Sequence, residues 1–281
     1  MIALPPCIRG QLLLASLVLA SCAQEESAAP EAQSGSPPPA PVAEETDAQF
    51  VKYEDHTKEG LVLGETWDGP EKKLYSQGNE ELIVRDFFQD RVGGVFLDVG
   101  AADPVLTSTT YYLEKHLGWS GVAIDALSEY AVSFEKKRPK TRFVSYIVTD
   151  HSGTKEKFYR TVGAPGLSST VADREFKGRK LWSQMIEVPT TTLDTLLAEL
   201  GVGRIDFLSM DIEGGEPKAL SGFDIERFRP QLVCIEKGEV EFLKEYFADH
   251  GYERIDKYLR YDFVNWYYTP AKDDRGEGGS Q

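Results

Sequence analysis

Two acids and one glycine set the first chemical expectation. Asp98-Val99-Gly100-Ala101 closes an apolar run that begins at Val95, and Asp125 closes the next such run, Gly121 to Ile124, 27 residues after Asp98. At the tip of the second strand of an open α/β sheet, an acid can accept both hydroxyls of a ribose. A dinucleotide-binding turn wants glycines at G-x-G-x-x-G, so that the backbone can approach a pyrophosphate. Only Gly100 is present here, which argues against NAD or FAD. One glycine still lets a small ligand come close to the main chain. The pair therefore points to an adenosine ligand without pyrophosphate, such as S-adenosylmethionine, whose sulfonium and ammonium would suit Asp98. The competing reading of Asp98 is a hydrogen-bonded carboxylate that finishes a strand.

A second group of acids follows Ile205-Asp206-Phe207-Leu208-Ser209-Met210: Asp211, Glu213 and Glu216, with Gly214-Gly215 between the last two. Clustered carboxylates raise one another's pKa, so one of them can act as a base near neutrality. They could also hold a hard divalent ion, although no metal is assigned from the sequence. Glu216 is expected only to favour a helix start; Asp211 and Glu213 precede the turn and face the carboxyl edge of the sheet. No Ser-His-Asp or Cys-His arrangement stands at a useful spacing.

The elements that must position these acids alternate between two periods. Helices are expected over 79–90 (capped by Asn79), 110–117, 129–137 (capped by Ser128), 192–200, 216–221 and 240–250. Strands are expected over 95–99, 121–124, 142–148, 205–210 and 232–235, with strand-like pieces at 157–159 and 185–188. The aromatic segments 252–257 and 263–268 read as a closing antiparallel pair. Strand and helix alternate about five times, which describes an open, mostly parallel α/β sheet that binds ligands at its strand carboxyl ends. The hydroxyl clusters Ser108-Thr109-Thr110 and Ser168-Ser169-Thr170 suit helix caps first and pocket walls second. Cys234, within Leu232-Val233-Cys234-Ile235, reads as an inert buried thiol.

These blocks, in order, resemble the FkbM-type methyltransferases. The resemblance runs from Tyr75-Ser76-Gln77 through Asp98-Val99-Gly100-Ala101 and Gly118-Trp119-Ser120-Gly121-Val122-Ala123-Ile124-Asp125. It continues in Val188-Pro189-Thr190-Thr191-Thr192-Leu193-Asp194-Thr195-Leu196 and Ile205 to Gly214, covering about residues 74–270. It implies a class I methyltransferase (Rossmann-like) fold with an antiparallel C-terminal hairpin, S-adenosylmethionine as cofactor, and mainly O-methylation of small-molecule or glycan-like acceptors. By the same resemblance Asp98, Gly100 and Ala101 lie along the methionine end of the cofactor, and Asp125 takes the ribose. Asp150 or His151 would sit beside the adenine, and Asp211 and Glu213 near the transferred methyl. Asp211, Glu213 and His151 are the candidate bases. The chain departs from the family at Asp103-Pro104 and in its N-terminus.

Residues 1–21 carry one charge, Arg9, and a largely apolar run from Leu12 to Ala20. About 14 Å of helix is too short for a ~30 Å bilayer core and suits a secretory signal. Leu19-Ala20-Ser21-Cys22 resembles the lipobox of bacterial lipoproteins, in which the cysteine is acylated. Residues 22–49, with six acids, no base and the run Ser36-Pro37-Pro38-Pro39-Ala40-Pro41, read as a disordered acidic tether. Residues 50–78 form a lead-in, 79–270 the methyltransferase domain and 271–281 a polar tail. The net charge of −15 disfavours nucleic acid as a partner, and three cysteines, at 7, 22 and 234, build neither a disulfide scaffold nor a zinc cluster. Two functions are therefore open: a methyltransferase, or a non-catalytic binding module displayed on the bacterial cell envelope. A later start codon would instead leave a cytoplasmic enzyme. The anchor has a direct test. Cys22→Ser should convert a membrane-fraction protein into a soluble one or an uncleaved precursor, and a labelled fatty acid fed to cells should mark only the wild type. Unlabelled cytosolic wild type lacking residues 1–21 would refute the anchor.

Overall fold

The computed structural model describes residues 74–176 and 178–272. The signal-like segment, Cys22 and the acidic tether lie outside the described residues. The chain runs through α1 (Glu80–Phe88), β1 (Val95–Val99), α2 (Tyr111–Leu117), β2 (Ser120–Asp125), α3 (Ala131–Lys137) and β3 (Thr141–Ser145). An excursion follows, made of β4 (Ile147–Val148), β5 (Lys155–Thr161), the short pair β6 (Glu175–Phe176) and β7 (Arg179–Lys180), and β8 (Ser183–Thr191). The remaining elements are α4 (Leu193–Leu200), β9 (Phe207–Met210), α5 (Glu216–Ser221), α6 (Ile225–Phe228), β10 (Leu232–Glu236), α7 (Val240–Asp249), β11 (Tyr252–Arg254) and β12 (Asn265–Pro270).

One seven-stranded sheet organises them, in the order β11-β12-β10-β9-β1-β2-β3. The five strands from β10 to β3 are parallel to their neighbours; β12 runs antiparallel between β10 and β11. The chain moves outward from β1 to β3, then returns to β9 on the other side of β1. The strand order thus reverses between β1 and β9, and a crevice opens beyond their carboxyl ends. The period-2 alternation of strands divides the core between the two faces. Leu97, Val99, Val122 and Ile124 pack with α4 and α5 through Leu193, Leu196 and Leu220. Phe96, Phe207, Leu232 and Cys234 pack on the other face with Ile83, Tyr112 and Trp119. Among the described residues no helix is long and apolar enough to cross a membrane.

Several local expectations are corrected. The expected strand 142–148 breaks at Tyr146: β3 belongs to the main sheet, while Ile147 and Val148 pair with Thr190 and Thr191 of β8 in a three-stranded sheet. Asn79 stands at the N-cap of α1 without capping it; its amide donates to the Tyr261 carbonyl across the domain at 2.8 Å. Ser128 opens a single 3-10 turn rather than capping α3. Thr192 does cap α4, accepting from the Thr195 amide, and Gly201 ends that helix in the left-handed region. The closing strands are adjacent and antiparallel as expected, but the first is shorter, the second is shifted two residues along the chain, and the later one enters the sheet inside the earlier one.

Thr110 also departs from its expected role. It occupies the N-cap of α2 without a cap bond, because its hydroxyl donates to Asp98 Oδ2 at 2.6 Å. The same hydroxyl accepts from the Arg138 guanidinium at 3.0 Å. Arg138 is fully buried, and it also donates to Glu114 Oε2 at 2.7 Å and to the Pro104 carbonyl at 3.0 Å. Glu114 in turn accepts the Thr141 hydroxyl and the Lys140 amide. One buried cation therefore ties the end of α3 to α2, to the loop after β1 and, through Thr110, to Asp98. Removing one partner of a buried ion pair leaves the other charge uncompensated, at about 3–5 kcal/mol. Arg138→Met should accordingly lower unfolding stability by roughly that amount, measured by urea denaturation.

Candidate active site

The geometry of the site begins with a collision that glycine avoids. Gly100, at φ +85°, packs so closely on the turn after β9 that a Cβ there would lie 1.8 Å from the Asp211 carbonyl oxygen. The Asp211 amide donates to the Val99 carbonyl at 3.0 Å, and the Gly100 amide donates to the Ile124 carbonyl at 2.9 Å. The ends of β2, β1 and β9 are thereby locked side by side, and Asp125, Gly100 and Asp211 share one edge.

A cleft of about 610 Å³, counting the part open to solvent, runs along that edge. Ile124, Tyr146, Ile147, Val148 and Phe158 form its apolar side, and Gly100, Asp125, Asp211 and Glu213 its polar side. The half-buried Asp125 carboxylate accepts from the amides of Ala102 and Leu127, at 2.9 and 2.8 Å. Burial pushes its pKa up to about 6, against those two hydrogen bonds. A second chamber of about 430 Å³, again counting the part open to solvent, adjoins it and is lined by Gln77, Glu80, Asp98, Ala101, Thr107 and Asp211. Val99, Gly100 and Asp211 belong to both chambers. Asp98 joins the two readings made of it: it is a buried structural carboxylate held by Thr110, and it also forms part of a cavity wall. Its pKa is raised by burial, with Thr110 and Arg138 opposing. Burial and the Asp262 carboxylate raise Glu80 to about 7.

The excursion between β4 and β8 folds over the cleft. Pro165, Gly166, Ser168 and Thr170 line it. Ser169 donates its hydroxyl to the Glu213 carbonyl at 3.1 Å, and Arg174 pairs with the Glu213 carboxylate. Glu213 itself sits at φ 59°, a left-handed conformation that costs a non-glycine residue about 1–2 kcal/mol. The contacts from Ser169 and Arg174 hold it there. Asp211 is raised well above the ordinary carboxylate range by burial and by Glu236, Glu213 and Glu216.

The predicted site residues thus separate into two groups. Asp98, Gly100, Ala101, Asp125, Asp211 and Glu213 line the two chambers. Asp150 and His151 are outside both linings: Asp150 is exposed, and its carboxylate meets the His151 Nδ1 at 2.7 Å, while the other imidazole nitrogen faces Glu156 at 3.3 Å. The break at Tyr146 carries the chain into β4 before Asp150, and Tyr146, Ile147 and Val148 line the cleft there. Glu216 does more than start a helix, because Oε1 accepts from the Ile212 amide at 2.8 Å and braces the turn. Sequence reasoning missed Arg138, Arg174, Glu80 and Glu236. Glu236 was open to the rule that found Asp125 and Asp211, since it ends the apolar strand Leu232-Val233-Cys234-Ile235.

Residues 98–263 match the sequence model of the methyltransferase FkbM domain. Comparison with curated proteins gives no match. Among solved structures, a TehB-like SAM-dependent methyltransferase from Corynebacterium glutamicum is similar at 14% identity and TM-score 0.39, over 72% of this chain and 90% of that one. A protein of Pyrococcus horikoshii described as an RNA methyltransferase is similar at 12% identity and TM-score 0.37, over 70% of this chain and 82% of that one.

The raised acids make a prediction about stability. Glu80 and Asp125 bind a proton more tightly folded than unfolded, so the stability linked to them is fully present below pH ~4 and is lost as pH rises through about 7 and about 6. Melting temperature should therefore rise between pH 8 and pH 6, by roughly 2–4 °C per kcal/mol regained. Glu80→Gln should flatten the rise, as read by calorimetric melts across that range.

Proposed function

Because this chain belongs to the FkbM methyltransferase family, whose cofactor is S-adenosylmethionine, we propose that it transfers a methyl group to a hydroxyl of a small-molecule or glycan-like acceptor. The observation that carries the proposal is the juxtaposition of Asp125, Gly100 and Asp211 along one cleft at the sheet reversal. The residues present fit the cofactor. Asp125 has both oxygens facing backbone donors on one side, with lone pairs left for a ribose diol. Ile124, Ile147, Val148 and Phe158 offer a flat apolar slot for an adenine. The acids of the second chamber suit the ammonium and the sulfonium of the cofactor. When bound, the cofactor supplies an electrophilic methyl on a positively charged sulfur.

The chain's own task is alignment. Gly100 lets the turn after β9 close against the end of β1, the excursion excludes water from above, and Asp211, shared by both chambers, faces the place where they meet. Of the three side chains considered as bases, Asp211 is the one on the wall with no ion-pair partner among the described residues. Glu213 is committed to Arg174, and His151 is outside the linings. The acceptor hydroxyl is therefore set against Asp211. We place the domain at the cell envelope, held by a lipid on Cys22; the support is Leu19-Ala20-Ser21-Cys22 and the acidic tether.

Calorimetric titration with S-adenosylmethionine tests the assignment. Asp125→Ala loses charge-assisted hydrogen bonds of about 1.5–3 kcal/mol each, so affinity should fall at least ~10-fold. Asp211→Asn should leave cofactor affinity nearly unchanged and reduce transfer of a labelled methyl to acceptor by ~10²-fold or more. Equal affinity of wild type and Asp125→Ala would overturn the ribose assignment. A wild type that takes no cofactor would favour the displayed binding module.

A further inference from the structure

We propose that Asp211, Glu216 and Glu236 form a binding site for one hard divalent cation, where the carboxyl ends of β9 and β10 meet the cleft. One carboxylate oxygen from each residue can be chosen so that all three lie within 4.8 Å of one another. Three oxygens evenly spaced around a single ion are at most about 4.5 Å apart at calcium bond lengths and about 3.6 Å apart at magnesium bond lengths. One ion therefore reaches all three carboxylates after side-chain shifts of a few tenths of an ångström for calcium and of about an ångström for the smaller metal.

A cluster of acids needs a further reason to be a site, and Glu216 supplies it. Its side chain is 1% exposed. Oε1 accepts the Ile212 amide at 2.8 Å, while Oε2 is buried with no hydrogen-bond partner. A buried carboxylate oxygen left unpaired is costly, and buried charges are normally paired or bound to metal. No protein cation answers it: among the described residues none of the three acids forms an ion pair, and the nearby Arg174 guanidinium is committed to Glu213. Asp211 and Glu236 lie within hydrogen-bond reach of one another, two acids that repel unless a proton or a cation stands between them. Oxygen-only ligands of this hardness suit magnesium, manganese or calcium rather than zinc or copper.

The residues are also held in position. The Asp211 amide is bound to Val99, and β9 and β10 pair in register with Ile235 opposite Met210, which sets Asp211 and Glu236 side by side one step beyond. Occupancy of the site stands apart from methyl transfer. Only its catalytic consequence rests on the function proposed above: a cation here would draw in and polarise the acceptor hydroxyl set against Asp211.

The test uses Mn²⁺ alone as probe. The full chain, purified in detergent and stripped with chelator, is titrated while free Mn²⁺ is followed by electron paramagnetic resonance. The expected result is one bound ion per chain, with affinity reduced roughly 10–100-fold or more in Glu216→Gln and in Glu236→Gln. Glu236→Gln is the second variant because it leaves the bond between Ile212 and Glu216 intact, so loss of binding there is not loss of the turn. No Mn²⁺ uptake by the wild type, or equal uptake by both variants, overturns the site. Titration with S-adenosylmethionine in chelator separates the two readings. A chain that takes cofactor but no Mn²⁺ refutes the cation site alone, and one that takes Mn²⁺ but no cofactor refutes the methyl-transfer role alone.

Discussion

The contact between Gly100 and the Asp211 carbonyl is the constraint on which the site depends. Every strand of the parallel core brings an edge to the same side, but only at the reversal between β1 and β9 do two chain turns meet with no crossover between them. The meeting is so close that a single methyl group would not fit. It sets Asp125, Gly100 and Asp211 in one row, and it makes one cleft of two chambers that share their central wall. On the far side of β1 the buried Arg138 network holds Asp98 from below, so the first strand is fixed both by what it touches and by what it cannot admit.

Electrostatics at this edge are one-sided. Asp98, Asp125, Asp211, Glu236 and Glu80 are all raised by burial, and the guanidinium groups nearby are committed elsewhere, Arg138 to Glu114 and Arg174 to Glu213. A protein interior does not gather acids in this way for stability, because each is less stable ionised than it would be in water. The arrangement is a standing preference for positive charge in a ligand, which the cofactor of the family carries at both its sulfonium and its ammonium.

Much of this was legible in the sequence because it rests on rules local to the chain. Val95 to Val99 is an apolar run broken only by Asp98, and Gly121 to Ile124 is an unbroken one, as strands buried on both faces must be; Asp125, which follows the second, marks the ligand edge. The helix bounds at Gly201 and at Pro217 were equally local. What escaped was set by distant partners. Arg138 reads as one more base at a helix end, and its burial follows only from Glu114 and Thr110 arriving from another helix. The break at Tyr146 is invisible in an unbroken β-prone run, because it depends on β8, more than thirty residues later, pairing with Ile147 and Val148. Beyond that break, Asp150 and His151 stand outside the lining of the cleft. Asn79 and Thr110 have cap chemistry by type, yet each spends its hydrogen bond on a tertiary partner.

The place of β12 has a consequence for how the molecule comes into being. β11 is made first but, among the described residues, pairs only with β12, and β12 must enter between it and β10. Until Asn265–Pro270 has left the ribosome, β10 presents a bare edge of unpaired amides and carbonyls, and β11 has no berth at all. Synthesis from the N-terminus therefore cannot close this sheet progressively; the final step waits for nearly the last residues of the domain. Until then the nascent chain is an open template for other strands, and Asp211 and Glu236 lack the outer strand that completes their side of the sheet.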